Sequence, residues 1–512
     1  MPRYLYRRLD SGSDAIMIPS LQNEERIAHA IVAMDTNRLT DAIRFLQLVV
    51  CESAEHPVAT RLLGIVAHRL GDLDRAERLL RRSLKLGENS LDCLVGLGLV
   101  YIDGKRWDAA TKCFRECIRR FPQEPCGYIN LAFVHFAAGD WANARFTYEA
   151  GIAIFPSNFE LIANFATMLR ESGDLSAAIN RYNEIEQRFG LNPEQAEGRG
   201  RALLQSCRWV DGWRDYESRL LLASPNALKF DGSIKQWQGE PLNNKRVLVL
   251  AEQGIGDEVQ FASCFNDLIR ITGQCTITCS IRLYPIFSRS FPDARFVALT
   301  DAERSTWWPP EPSEYDYVTA AGSLPKYFRR CDSDFPGNPY LFAEQPGSPA
   351  CQQSSKRRRV GISWWGGSLV SQMKQRSIAF DTFRELLKVE NIDFVNLQHG
   401  RCDEKTVNDL LSHYHNLLTY SQINPYIDLE SWFNLIASLD LVITVDNSNA
   451  HFAGALGVKT WLLLGPTANW RWPYNGNLAP WYQSVELIRL IKGSNWDAKI
   501  HEVAENLAIL PV

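Results

Sequence analysis

Gly71-Asp-Leu-Asp-Arg-Ala76-Glu-Arg-Leu-Leu80 returns as Gly139-Asp-Trp-Ala-Asn-Ala144-Arg-Phe-Thr-Tyr148 and again as Gly173-Asp-Leu-Ser-Ala-Ala178-Ile-Asn-Arg-Tyr182. Alanines fall at 42, 76, 110, 144 and 178, each 34 residues after the last. A period of that length held five times predicts a stacked helical array, not one packed domain. Four residues after each alanine stands a bulky apolar side chain: Leu46, Leu80, Phe114, Tyr148 and Tyr182. That spacing puts both on one helix face. Five residues before the alanine comes a turn-former (Asn37, Gly71, Gly139, Gly173, and Lys105 beside Gly104). Further upstream, Gly64, Gly98, Ala132 and Ala166 are small where a first helix must approach a second. Pro122 and Pro156 fall where one unit hands over to the next.

Residues 1–22 read as an N-terminal extension and 23–192 as five helix-pair repeats. Such arrays form a superhelix whose groove usually holds an extended peptide or another protein; a dimerisation or spacer module is the alternative. With 512 residues and 46% hydrophobic content, the chain can bury two or three full cores. A net charge of -4 gives no electrostatic reason to expect nucleic acid. Met1 to Ser20 is basic and polar without an apolar core, and no run of about 18 apolar residues follows. The expectation is a cytoplasmic protein that does not span a membrane. Twelve cysteines contain no CxxC pair; they read as reduced thiols packed as small hydrophobes.

Beyond the repeats the period stops. Residues 193–244 read as a capping helix and linker, with the aromatic run Trp209 to Glu217 suited to cover the array's open end. From Lys245 the grammar becomes strand, loop, helix, which predicts an α/β lobe over 245–344. Its first strand, Arg246 to Ala251, runs into Glu252-Gln253-Gly254-Ile-Gly256-Asp257. A glycine turn between strand and helix lets a ligand approach the backbone. Asp257 at its mouth is either a helix cap or a working carboxylate. A linker over 345–358 leads to a second α/β lobe, 359–512. There Ser363 ends a strand, and Gly366, Gly367, Lys374, Arg376 and Ser377 follow; glycines, hydroxyls and fixed cations suit a diphosphate. Gln398 ends another strand. Asp446-Asn447-Ser448-Asn-Ala-His451 forms a polar turn between strand and helix, where ligands bind in open α/β sheets. Backbone amides at that helix start, with Asn447 and Ser448, suit phosphate oxygens. Asp446 suits sugar hydroxyls. His451 suits phosphate or sugar, or is a buried histidine satisfied internally.

Residues 23–192 resemble the tetratricopeptide repeat. The glycine turn with Gln260-Phe261, Val360 to Trp364, Arg376-Ser-Ile378, Asn396 to His399, and Val445 to Gly457 appear in the order seen in bacterial proteins that fuse such repeats to a heptosyltransferase-like, family 9 type glycosyltransferase domain. Trp209 to Glu217 and Trp470-Arg471-Trp472 with Trp481-Tyr482 also look like that group. The resemblance implies a GT-B fold of two Rossmann-like lobes, with acceptor on the first and nucleotide-sugar donor on the second. It also implies metal-independent inversion at the anomeric carbon, with no cofactor beyond the nucleotide-sugar co-substrate. It makes Asp257 the base, sets Gln253, Gly254 and Gly256 in the acceptor-side turn, and places Lys374 and Arg376 near the leaving phosphate. Asn447 and Asn449 depart from the family's usual donor turn. The joined repeats suggest a protein or peptide acceptor in the groove, with flagellin as a fitting client. The alternatives are a non-catalytic scaffold with a nucleotide-binding domain, or a transferase acting on a cell-surface polysaccharide or lipid-linked glycan. A metal site on Asp332-Ser-Asp334 is disfavoured because that stretch lies in a Pro/Gly loop with no strand before it.

Overall fold

The computed structural model describes residues 21–88, 90–223, 228–304, 306–344, 357–367, 376–398, 413–420, 422–491 and 493–510. Residues 1–20, most of the 345–358 linker, Lys374 and His399 lie outside them. The chain divides into two compact units, Met1–Ser172 with Asn180–Gly190, and Gly173–Ile179 with Leu191–Val512.

In the first unit the helices are α1 (Leu21–Asp35), α2 (Leu39–Glu52), α3 (Pro57–Arg69), α4 (Leu73–Lys85), α5 (Leu91–Asp103), α6 (Trp107–Arg120), α7 (Cys126–Ala137), α8 (Trp141–Ile154) and α9 (Phe159–Glu171). A further helix, α10 (Leu175–Phe189), passes from one unit to the other. The repeated Gly-Asp pair has a local cause. Gly71 turns the chain at φ +83° after α3, a left-handed conformation that glycine adopts without strain. Asp72 then caps α4 by accepting from the Arg75 amide at 3.0 Å, and Asp140 caps α8 on Asn143 in the same way. Ala42, Ala76, Ala110 and Ala144 are wholly buried. At Gly98 an added Cβ would stand 2.4 Å from the Phe114 ring. The helix pair closes only because that position is small.

The second unit opens with the pair α11 (Pro193–Gln205) and α12 (Trp209–Tyr216). The aromatic side chains of α12, expected to cover the array, bury into the α/β core. Trp209, Trp213 and Tyr216 join one hydrophobic cluster with strand and helix residues of both lobes, and the Trp213 indole donates to the Arg329 carbonyl at 2.9 Å.

The first lobe holds β1 (Arg246–Leu250), α13 (Ile255–Ala262), α14 (Phe265–Ile269), β2 (Gln274–Ser280), α15 (Tyr284–Ser290), β3 (Arg295–Leu299) and β4 (Tyr317–Ala320). Its four strands are parallel in the order β3-β2-β1-β4. The glycine turn leads into two helices, and the first begins within it, at Ile255. Gly254 is its N-cap and Asp257 stands in its first turn.

The second lobe is a sheet of β5 (Arg358–Ser363), β6 (Ile392–Asn396), β7 (Leu417–Leu418), β8 (Leu441–Val445), β9 (Thr460–Leu464), β10 (Leu478–Ala479) and β11 (Tyr482–Arg489). The order is β10-β11-β9-β8-β5-β6-β7, parallel except at β10–β11. Helices α16 (Leu429–Ala437), α17 (Ser448–Leu456) and α18 (Trp496–Ile509) accompany it. Strands β8 and β9 are buried along their whole length, which is why they read as continuous apolar runs. No helix among the described residues is long and apolar enough to cross a membrane.

Candidate active site

The chain leaves β1 at Leu250, and Glu252 is the first polar residue beyond the sheet. It is only 6% exposed and is held from three sides: Arg219 donates to both its oxygens at 2.7 and 3.0 Å, and the Gly322 amide donates at 2.8 Å. Gln253 follows in a left-handed conformation, φ +62°. Its amide donates to the Tyr216 hydroxyl at 2.8 Å. Asp257 then accepts from the Gly254 amide through Oδ2 at 3.1 Å, so it caps its own helix. Its Oδ1 faces the other lobe and pairs with the Arg471 guanidinium.

On that other lobe, α17 begins at the end of β8. Asn447 caps it, accepting from the Asn449 amide at 3.0 Å, and its Nδ2 donates to Ser363 and to the Trp365 carbonyl. Asn449 bridges as well, donating to the Leu397 carbonyl and accepting from the Trp432 indole, both at 3.0 Å. Asn447 and Asn449 therefore brace this turn against β5, β6 and α16. The Ser448 hydroxyl makes no hydrogen bond among the described residues. Asp446 accepts from the Trp472 indole at 2.9 Å and lies 3.3 Å from Arg376 Nε. Gly366 is required here: a Cβ would meet the Asp446 carbonyl at 2.7 Å.

A cavity of about 590 Å³ lies between these two constellations, within the range of small-molecule sites. Gly254, Gly256 and Asp257 line one wall; Gly366, Gly367, Arg376, Gln398, Asp446, Asn447, Ser448 and His451 line the other. The walls approach closely, since a Cβ on Gly256 would stand 3.2 Å from the His451 ring. Among the described residues, three that were expected do not line it. Ser363 is fully buried beneath the Asp446–Ser448 turn, its hydroxyl 2.6 Å from that of Thr444, its partner in the β5–β8 register. Ser377 closes on Gly366, accepting from its amide and donating to its carbonyl. Gln253 supports the turn from behind. Gln398 lines the cavity, but its side-chain oxygen accepts from the amides of Trp364 and Trp365 at 3.1 and 2.9 Å. Asp332 accepts from the Trp209 indole and Asp334 from two backbone amides, so both are tied into local structure. Among the described residues no cluster of three metal-ligating side chains occurs.

His451 is 4% exposed, 3.0 Å from the Tyr482 hydroxyl through Nδ1, and stacked on Trp472 with ring centroids 5.2 Å apart. Burial, reinforced by the nearby Arg471 charge, pushes its pKa down to about 4. It is a neutral ring at pH 7. Because the unfolded chain protonates this ring near its ordinary value of 6.5, the stabilisation it carries is complete above that pH. It is lost as pH falls towards 4, about 2 kcal/mol of it by pH 5. Urea unfolding at pH 7 and pH 5 should show this loss, and His451→Gln should show a smaller difference between the two.

The residue that sequence reasoning assigned no role is Arg471. It sits in an aromatic loop with no periodic pattern, 214 positions from its carboxylate partner. Arg282 of the first lobe also lines the cavity. Next to Asp257, Glu258 points the other way, into the lobe. It pairs with Arg304 at 2.6 Å and accepts from the Ser280 amide at 2.9 Å. Burial pushes its pKa up to about 7. It anchors α13 to β2.

The family model for glycosyltransferase family 9 (heptosyltransferase) matches residues 380–508. Tetratricopeptide repeat models match 57–82 and 92–124. Protein FlbA of Caulobacter vibrioides is 25% identical over 97% of this chain and 86% of its own. Among solved structures, pilF of Pseudomonas aeruginosa is similar over 38% of this chain and 86% of its own, with 16% identity and a TM-score of 0.32. A tetratricopeptide repeat protein from Parabacteroides merdae is similar over 40% and 81%, with 14% identity and a TM-score of 0.34. The helical array and the second lobe thus match separate families, and the chain joins tetratricopeptide repeats to a glycosyltransferase family 9 domain.

Proposed function

We propose that the protein transfers a sugar from a nucleotide-sugar to a protein acceptor recruited by the repeats, without a metal ion and with inversion of the anomeric carbon. One observation carries the reading: Asp257 and the α17 turn line the same cavity from opposite walls. The acceptor oxygen bonds to the anomeric carbon while the bond from that carbon to the phosphate oxygen breaks. The acceptor proton passes to Asp257, and the electron pair leaves with the phosphate. Arg376, the Ser448 hydroxyl and the start of α17 are suited to stabilise that charge. A single displacement of this kind inverts the centre.

The repeats support a polypeptide acceptor, because binding a client to the same chain raises its effective concentration over free acceptors. Flagellin is the client proposed, and the cytoplasm the compartment. A panel of nucleotide-sugars screened by thermal shift should identify one that stabilises the protein. Incubating that donor with flagellin should add one sugar mass or a multiple of it, undiminished by EDTA. An unchanged flagellin mass would discard that client, and loss of transfer in EDTA would discard the metal-free mechanism.

A further inference from the structure

The two oxygens of Asp257 are both occupied. Oδ2 accepts from the Gly254 amide at 3.1 Å, and Oδ1 is held by Arg471. Each oxygen keeps a second lone pair, but Oδ1, the one that faces the other lobe, has the Arg471 guanidinium across it, in the way of an incoming hydroxyl. The Gly254 bond belongs to the helix cap, so the oxygen that can be freed is Oδ1, and the group that must leave it is Arg471.

Arg471 is built to have more than one partner. Its Nη1 donates to Asn469 Oδ1 at 2.9 Å and its guanidinium lies 4.8 Å from the centre of the Trp470 ring, which fix the stem and the plane of the fork. Nη2 is the end that reaches across the cavity to Asp257, with Gln253 Oε1 3.5 Å away. The charge balance argues the same way. Among the described lining residues, the guanidiniums of Arg282, Arg376 and Arg471 face the carboxylates of Asp257 and Asp446, which leaves one net positive charge. A diphosphate brings at least two negative charges, and a planar guanidinium fork matches phosphate oxygens as well as it matches a carboxylate.

We propose that Arg471 is a shared cation: it holds Asp257 while the cavity lacks donor, and a phosphate-bearing donor draws it away, freeing Oδ1 to take the acceptor proton. The exchange rests on the reading of this cavity as a nucleotide-sugar site. It makes donor binding a condition for base action, so that an acceptor hydroxyl is deprotonated only when a leaving phosphate is in place. Arg471 then touches the leaving group and is a catalytic residue, whereas in the resting state it positions Asp257.

The test is a double-mutant cycle read by calorimetric titration of inorganic pyrophosphate into the full-length chain at fixed ionic strength. If Arg471 is shared, Asp257→Asn in the parent releases it for phosphate and tightens pyrophosphate binding by about tenfold. In the Arg471→Gln background the same change removes a negative charge from the cavity wall but has no guanidinium to release, and should tighten binding by about threefold or less. Equal effects of Asp257→Asn in both backgrounds would overturn the exchange and leave a static structural pair, with the pocket reading intact. Absence of pyrophosphate binding in every form would overturn the pocket reading itself and the exchange with it. Gln at 471 retains an amide for Asn469, and circular dichroism of each variant confirms the fold. Should Arg471→Gln fail that control, Arg471→Met closes the cycle with the same expectation, because it too removes the charge.

Discussion

Asp257→Asn is expected to lower the rate of sugar transfer by about 10²–10⁴-fold, the range over which positioned general bases act. The substitution removes the proposed proton acceptor and little else. The Asn oxygen can still accept from the Gly254 amide, as Asp257 Oδ2 does at 3.1 Å, so the cap on α13 survives. The pair with Arg471 is lost, but both side chains border the cavity, and the guanidinium keeps its bond to Asn469 and its place beside the Trp470 ring. The variant should therefore unfold close to the parent's urea midpoint while initial rates with the identified donor fall. A rate within about threefold of the parent would remove Asp257 from the base role.

Arg219→Met should have the largest effect on stability, about 3–5 kcal/mol, because it leaves the Glu252 carboxylate buried without its counter-charge. Arg219 and Glu252 are 7% and 6% exposed, and the guanidinium also donates to Ser323 and lies over the Tyr216 ring at 4.6 Å. The consequence reaches the site. Glu252 is the residue from which the glycine turn departs, and Gln253, Tyr216 and Trp470 form a chain of contacts from that turn towards the Arg471 loop. Activity should fall with stability. The double variant Arg219→Met with Glu252→Gln should recover part of the loss, since a neutral amide tolerates burial better than an unpaired carboxylate. Urea unfolding gives both values; a loss below about 1 kcal/mol, or no recovery in the double variant, would contradict the assignment.

Much of this was legible in the sequence because it is written in local periods. The 34-residue repeat of Ala and bulky residues, and the strand-turn-helix runs at Arg246 to Ala262 and Leu441 to Leu456, depend on neighbours a turn or a strand away. The polar turn from Asp446 to His451 was visible for the same reason. Ser363 was not: a serine at a strand end looks the same whether its hydroxyl enters the cleft or meets a neighbouring strand, and here the β5–β8 register sets it against Thr444. For Asn447 and Asn449 the sequence showed a departure, and only tertiary contacts to Trp365, Leu397 and Trp432 explain it. Arg471 was hidden for a stronger reason. Ion pairs across a cleft obey no spacing rule, and a lone arginine between two tryptophans reads as readily as a solvated charge. Likewise the aromatic helix Trp209 to Tyr216 shows that it buries a face, but not against which unit.

The most direct test of the account is hydrogen–deuterium exchange with and without the nucleotide-sugar that most raises the melting temperature. Donor should slow exchange both in the glycine turn and α13, residues 254–258, and in the turn and first residues of α17, residues 446–452. Protection of only one wall, or of neither, would contradict a single site shared by the candidate base and the donor turn.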